Sequence, residues 1–484
     1  MRRTTAAQMA ALMAGAFLTT LAAPTLTSQA LAAPAPSSLT PPPANLALAK
    51  DLLKQLIETD TQHDKGSTGA AKALADRFLA AGFAPADVQV LIPADHPIKG
   101  NVVVRLHGKG KAKPILYICH LDVVNARRAD WTYDPFKLTE KDGWYYGRGT
   151  IDMKGQDAAV AASLIRLKQE GFKPEGDLIV AFTADEEAGG DANGVDWLVK
   201  EHRPVVDAGL VINPDGGEAG VKLGHKLYLG VQTSEKVYAT YGLEVTDRGG
   251  HSSRPTPANP IFRLSKALAR LADYRFPVHL TDTTRLYFKG RAGLEHGQLA
   301  ADMASMASEH PDPAAVERLS GETETNIVFR TTCTVTEITG GHAESALPQR
   351  VRATIQCRVI PGETMDDVQA KLTAALGDPS IKVIVRTPGE PSPESPPSPR
   401  VLKAVEKIAH GMWPEVALLP LMSAGASDST YTRIGGMPSY GIDAMFDDLD
   451  DGRAHGQDER IGVAAFAEEV EFTYRLMKLL ASGG

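Results

Sequence analysis

Three short apolar runs, Pro114–Cys119, Asp177–Thr183 and Gly209–Ile212, each end in polar clusters: ICH-LD, FTA-DEE and VIN-PDGG. Runs of this length without polar alternation read as strands buried on both faces, as in a parallel or mixed sheet. Helical patterns at Asn45–Glu58, Gly69–Ala81, Met153–Glu170 and near Val195–Glu201 alternate with them, beside β-rich runs at Val88–Ile92 and Asn101–Leu106. This alternation constrains the first half to an α/β fold with helices on both faces of the sheet. Ligands bind at the carboxyl ends of strands in such sheets, so the three clusters are expected to face one site.

From Lys236 the order changes to strand (Lys236–Thr246), helix (Pro260–Tyr274), strands (Asn326–Thr339 and Arg350–Ile360), helix (Met365–Leu376) and strand (Lys382–Arg386). That is a ferredoxin-like β-α-β-β-α-β unit, with a long insertion at about Thr281–Thr325. A Pro/Ser-rich linker, Gly389–Pro399, leads back to helices at Val401–His410 and Ala464–Leu480. The expected organisation is a catalytic α/β domain in two pieces, residues 45–235 and 388–484, around an inserted α+β lid at 236–387. A chain of 484 residues is long enough for more than one core.

The N-terminus reads as an export signal over residues 1–32. Arg2 and Arg3 precede the apolar run Met9–Leu21 and the small-x-small site Ala30-Leu31-Ala32. A Pro/Ala-rich leader, 33–44, would follow, and the product would be periplasmic or secreted. No stretch is long enough to span a bilayer once the signal is removed. Formal net charge is −8, which argues against a nucleic-acid partner. The three cysteines are too few for a disulfide framework. Two of the three could form one bridge in an oxidising compartment, and Cys333 and Cys357 fall in two predicted strands that could be neighbours. Buried free thiols are the expected state, because a strand-to-strand bridge needs special geometry.

Each polar motif has an ordinary reading beside a chemical one. His120-Leu121-Asp122 can place both side chains on one face, although His-x-Asp is common. Asp152, in GRGTIDMKG, would serve equally as a helix N-cap. Asp185-Glu186-Glu187 could be a solvated charge run, but crowded acids at the end of a buried strand need a cation or raised pKa values. Asp215 in NPDGG and His455 in AHGQDER are individually weak signals. As a set, two histidines and several acids suit two co-catalytic metals about 3.5–4 Å apart. Mixed imidazole and carboxylate ligation favours Zn²⁺, with Co²⁺ or Mn²⁺ as substitutes.

The strings HLDVV, GRGTIDMKG, TADEEAGG, GGHSSRP, RVIPG and AHGQDER occur in an order that resembles one family. It is the dinuclear zinc metallopeptidases that include aminoacylase, glutamate carboxypeptidase, Gly-Xaa carboxypeptidase and succinyl-diaminopimelate desuccinylase. The resemblance implies that His120, Asp152, Glu187, Asp215 and His455 hold two Zn²⁺ per subunit, with Asp152 bridging. It implies Glu186 as general base toward a metal-bridging water and Asp122 as the residue orienting His120. His251, from GGHSS, would assist the oxyanion in the partner subunit of a lid-mediated homodimer, and Arg358 would bind the substrate carboxylate. A cis peptide after Asp152 is a further family trait. Ser427-Asp428-Ser429 looks like the glycine-rich substrate loop, while Ser345 stands where the family has Asn.

The activity expected is carboxypeptidase or dipeptidase cleavage of small peptides. N-acyl-amino-acid deacylation is the alternative, and an inactive binding module is the remote one.

Overall fold

The computed structural model describes residues 39–187 and 192–483. The expected signal, 1–32, and the first half of the expected leader, 33–38, lie outside the described residues. The chain opens with helices α1 (Pro43–Ile57) and α2 (Thr68–Ala80), then strands β1 (Val88–Leu91), β2 (Asn101–Leu106) and β3 (Ile115–His120). Helix α3 (Lys154–Gln169), β4 (Leu178–Thr183), α4 (Gly194–Glu201), β5 (Leu210–Asn213), β6 (Glu218–Lys222) and β7 (His225–Glu235) follow.

Strands β8 (Val237–Thr246), β9 (Thr332–Gly340), β10 (Arg350–Val359) and β11 (Lys382–Thr387) form a separate sheet. Helices α5 (Pro260–Asp273) and α9 (Met365–Leu376) belong to the same unit. Between them lie α6 (Asp282–Ala292), α7 (Gly297–Met306) and α8 (Pro313–Ser320). The chain closes with α10 (Pro399–Met412), β12 (Ala417–Ser423), α11 (Ser429–Ile434), β13 (Ser439–Ile442) and α12 (Val463–Ala481).

The large sheet is mixed and runs β1-β2-β4-β3-β5-β13-β7-β6, with β12 pairing in parallel with β7. Strands β4, β3 and β5 are mutually parallel, so His120, Thr183 and Asn213 all lie at one edge. Alternation divides their side chains between two cores. Tyr117, Val180 and Phe182 pack with Leu53, Ala159 and Phe466 on one face, while Ile118, Ile179 and Ala181 meet Val195 and Leu198 on the other. Each large apolar side chain buried this way contributes about 1.5–3 kcal/mol. The α/β class is therefore the one read from the strand runs.

The smaller sheet runs β9-β10-β8-β11, and its buried face (Ala239, Tyr241, Ile355, Val359) packs on α5 and α9 through Leu264, Ala267, Val368 and Leu372. A Thr364–Asp367 capping box starts α9. The predicted strand at Asn326–Thr339 begins only at Thr332, because Thr323–Asn326 completes the helical insertion and Phe329 is buried in its core.

That core, Phe288, Met303, Met306, Leu319 and Phe329, is distinct from the others. Helix α6 lies so close to β12 that a Cβ at Gly290 would stand 2.3 Å from the Leu419 side chain. The Thr233 and Thr283 hydroxyls hydrogen-bond at 2.6 Å across the same junction.

One expectation is corrected. Cys333 and Cys357 are joined in a disulfide, and Cys119 alone is a buried free thiol among the described residues. The register sets Cys333 directly opposite Cys357. Sequence spacing does not specify register, and this pairing brings the two Cβ atoms together. Among the described residues no helix is long and apolar enough to cross a membrane.

Candidate active site

Strand β3 ends in His120 and the turn after it carries Asp122, the turn after β4 carries Glu186 and Glu187, and the turn after β5 carries Asp215. Asp152 lies just before α3, across the cis Asp152–Met153 peptide, and His455 precedes α12. His120 Nε2 is 3.0 Å from Asp152 Oδ1 and 3.9 Å from Asp215 Oδ1. His455 Nε2 is 2.9 Å from Asp152 Oδ2 and 3.0 Å from Glu187. Asp152 thus offers one oxygen to each imidazole, as a carboxylate shared between two centres does. Ligand atoms of His120, Asp152 and Glu187 all lie within 4.8 Å of one another.

Asp152, Glu186, Glu187, Asp215 and His455 line a cleft of about 1050 Å³, with His120 buried behind them. Of the acids that line it, Asp152, Glu186, Glu187, Asp215 and Asp428 pair with no lysine or arginine among the described residues, whereas Asp196, farther along the wall, is held by Lys200 at 2.7 Å. Burial, then the Asp215 charge, pushes the Glu186 carboxyl well above its usual range. Asp215 is raised in the same way by burial and by Asp152. Asp428 rises to about 7 through burial, despite bonds from Asn193 Nδ2 at 2.6 Å and Thr183 Oγ1 at 3.4 Å.

The hydrogen bond to Asp152, then that to Glu187, carries His455 up to about 10. Burial opposes ionisation of Asp152, yet its bonds to His120 and His455 hold it below the usual carboxylate range. Two imidazoles cannot balance five crowded carboxyls. The nitrogen and oxygen donors fit divalent metal ions, which would supply the missing positive charge.

The surroundings hold these groups in place. Asp122 accepts the N–H groups of Glu186 and Glu187 at 3.1 Å each, so its carboxylate fixes the Glu186–Glu187 turn. His120 Nδ1 lies 3.0 Å from the Asp122 carbonyl and 3.8 Å from its carboxylate. Asp185, at φ +66°, is held by buried Lys99 and by His63 Nδ1 at 3.0 Å. Left-handed backbone at a non-glycine residue persists only where its surroundings impose it. Arg148 pairs with Glu459 at 2.5 Å, and Glu459 accepts the Ile151 N–H at 2.8 Å. Arg148 also donates to the His455 carbonyl at 3.2 Å, tying GRGTIDMKG to AHGQDER.

Arg358 lines the cleft from the small sheet, its guanidinium 4.9 Å from the centre of the Tyr238 ring. His251 does not line the cleft. It is exposed on the short strand Gly250–His251 and bonded to Ser253 Oγ at 2.8 Å.

Comparison with known proteins decides the family, because the model of peptidase family M20/M25/M40 matches residues 116–479. The chain belongs to that family. It is a hydrolase of the metallopeptidase type. It is 29% identical over 379 residues to "Probable carboxypeptidase S-like 2" of Dictyostelium discoideum, covering 76% of this chain and 71% of that protein. It is 27% identical over 383 residues to human "N-fatty-acyl-amino acid synthase/hydrolase PM20D1", covering 76% and 74%.

Among solved structures, the M20 family metallo-carboxypeptidase of Sulfolobus solfataricus aligns with a TM-score of 0.67 at 18% identity, over 90% of this chain and 99% of that one. Human carnosine dipeptidase 1 aligns with a TM-score of 0.60 at 17% identity, over 90% and 97%. At such identities the structural likeness speaks for fold alone.

Sequence reasoning passed over Lys99, His63, Asn193, Glu459 and Lys236. Glu459 carried a signal, since it sits four residues after His455 in a marked motif. Lys99 and Lys236 carried none, because each looks like an ordinary polar residue beside a strand.

Proposed function

We propose that this hydrolase is a zinc-dependent carboxypeptidase or dipeptidase that cleaves the amide bond of small peptides bearing a free C-terminal carboxylate. The observation that carries the reading is Asp152, with one oxygen at 3.0 Å from His120 and the other at 2.9 Å from His455. Asp215 joins His120 on one side and Glu187 joins His455 on the other, which supports two metal positions sharing Asp152. Zn²⁺ bound there supplies Lewis acidity that makes water acidic near neutral pH.

Glu186 then acts as proton acceptor. It lines the cleft, and its raised carboxyl suits it to take a proton from water and hand it to the departing nitrogen. Asp122 keeps Glu186 and Glu187 in register, and Arg358 receives the substrate carboxylate as a planar fork.

The organisation proposed is a catalytic domain of 45–235 and 388–484 around a lid of 236–387. The Cys333–Cys357 disulfide supports export to the periplasm or medium, since such bonds persist in oxidising compartments. The exposure of His251 supports a lid-mediated homodimer in which His251 serves the partner's cleft.

A second reading, N-acyl-amino-acid hydrolysis, is favoured by relatives named as N-fatty-acyl-amino acid synthase/hydrolase. Both readings use Arg358. A hydrolysis screen of dipeptides against N-acetyl, N-succinyl and long-chain N-acyl amino acids separates them. Dipeptide turnover at least tenfold above deacylation is expected, the reverse ratio selects the second reading, and turnover of neither class by zinc-loaded protein defeats both.

A further inference from the structure

We propose that Lys236 is a second cation of the subsite for the substrate's free carboxylate, acting with Arg358 as a specificity-determining residue. The inference rests on the carboxylate-bearing substrate proposed above and adds to it a residue at the junction between the two sheets.

Strand alternation puts Lys236 and Tyr238 on one face of the small sheet, and Tyr238 pairs directly opposite Arg358. The neighbours Val237, Ala239, Cys357 and Val359 point the other way, into the lid core. Lys236, Tyr238 and Arg358 all line the cleft.

Lys236 is 1% exposed, and its Nζ donates to the Arg330 carbonyl at 2.7 Å. It makes no ion pair among the described residues. The acid whose charge bears on it, Glu363, is engaged by Lys371 at 2.8 Å and by the Thr331 hydroxyl at 2.6 Å. Arg358 makes no ion pair among the described residues either, and the Tyr238 ring is its named contact.

Three other buried cations are ion-paired: Lys99 holds Asp185, Arg148 holds Glu459 and Arg433 holds Glu235. Buried Arg330, which is not, bonds the Phe276 carbonyl at 3.1 Å and Ser320 Oγ at 2.7 Å and does not line the cleft. Lys154 is buried without an ion pair, bonding the Thr59 carbonyl, but it does not line the cleft. Two neighbouring cations on one wall of a cleft, neither neutralised, favour an anion between them. A carboxylate has about four acceptor positions, so the guanidinium fork leaves room for an ammonium donor.

Burial, then the Arg358 charge, pushes Lys236 down to about 7, with Glu363 pulling the other way. The free enzyme therefore loses the Lys236 charge as pH rises through about 7, and a bound carboxylate favours the charged form. Affinity for the carboxylate substrate should weaken above that pH.

The test measures KM and kcat for a dipeptide between about pH 6 and pH 9, in wild type, Lys236→Met and Lys236→Arg. The same dipeptide with an amidated C-terminus is measured as a competing ligand. Lys236→Met should raise KM about ten- to a hundredfold for the free acid, with kcat within a few-fold. Its affinity for the amide should be unchanged. Lys236→Arg should keep the low KM and abolish its rise above pH 7.

Equal losses for acid and amide, or no change in KM, would overturn the proposal. If Lys236→Met fails to fold by circular dichroism, Lys236→Arg decides: a wild-type pH profile in that variant also overturns it. Wild type that turns over no dipeptide defeats the functional reading instead. Wild type that does so, with Lys236→Met behaving identically, defeats only this inference.

Discussion

Around Arg433 the buried charges are answered. Its guanidinium lies 3.2 Å from Glu235 and donates to Gln232 Oε1 at 2.9 Å, to the Ser439 carbonyl at 3.0 Å and to Ser395 Oγ at 3.1 Å. Glu235 in turn accepts the Ser427 and Thr430 hydroxyls at 2.8 and 2.7 Å. A few residues away, Asp428 belongs with Asp152, Glu186, Glu187 and Asp215 to a group of five carboxyls that faces two imidazoles and has no ion-paired lysine or arginine among the described residues. The first cluster balances its own charge and holds the Ser427–Thr430 segment against β7. The second is left acidic, and its balance has to come from outside the chain. A buried polar cluster that closes electrically reads as structure; one that does not reads as a site.

The sharpest separation of the two is expected from Glu186→Gln. If Glu186 moves the proton, kcat falls about 10²–10⁴-fold while zinc content by atomic absorption and the melting temperature stay near wild type. Near-normal turnover would remove Glu186 from the mechanism. Arg433→Met should do the opposite, leaving zinc content intact and costing about 3–5 kcal/mol in urea denaturation, because Glu235 is left buried without its partner. A loss below about 1 kcal/mol would show that the balanced cluster is not what holds the Ser427–Thr430 segment.

The same contrast explains what was legible in the sequence. The donor set could be read because each member follows a strand end or a glycine-rich turn, and sheet topology then gathers strand ends at one edge. Helix α9 was legible because a Thr364–Asp367 capping box opens its apolar pattern, and α3 and β2 because each is a long enough apolar run between polar turns. The balanced cluster was not legible: Gln232, Ser395, Arg433 and Ser439 come from four segments and have no pattern in common. The disulfide was misread for a related reason, since register between β9 and β10 is set by packing and not by spacing. Asp122 shows a finer limit. A His-x-Asp spacing suggests a carboxylate on the imidazole, whereas the carboxylate holds the backbone of Glu186 and Glu187.

The lid offers a third arrangement, a covalent one. The Cys333–Cys357 bond closes a sequence separation of 24 residues, for which chain entropy gives about 3 kcal/mol. The double variant Cys333→Ser, Cys357→Ser should lose about that much in denaturant unfolding. Because Arg358 is the next residue, KM for a carboxylate substrate should rise more than kcat falls. Equal stability of the two proteins would mean that the lid sheet is held by its apolar face alone.

The smallest expected effect is the most direct test of an unbalanced cleft. In metal-free protein the Asp215 carboxyl is held well above its usual range by burial and by Asp152. A group whose folded pKa is raised binds its proton more tightly when folded, so its contribution to stability declines as pH rises above the unfolded value near 4. Asp215→Asn removes that ionisation. After chelation it should therefore leave the protein about 1 kcal/mol more stable than wild type at pH 7, with the difference fading toward pH 4. With zinc restored the order should invert, because the variant has lost a donor and gains less from mass action. A variant that is less stable than wild type in both states would place Asp215 with Arg433, among the residues that build the fold, and would leave the cleft with one fewer charge to explain.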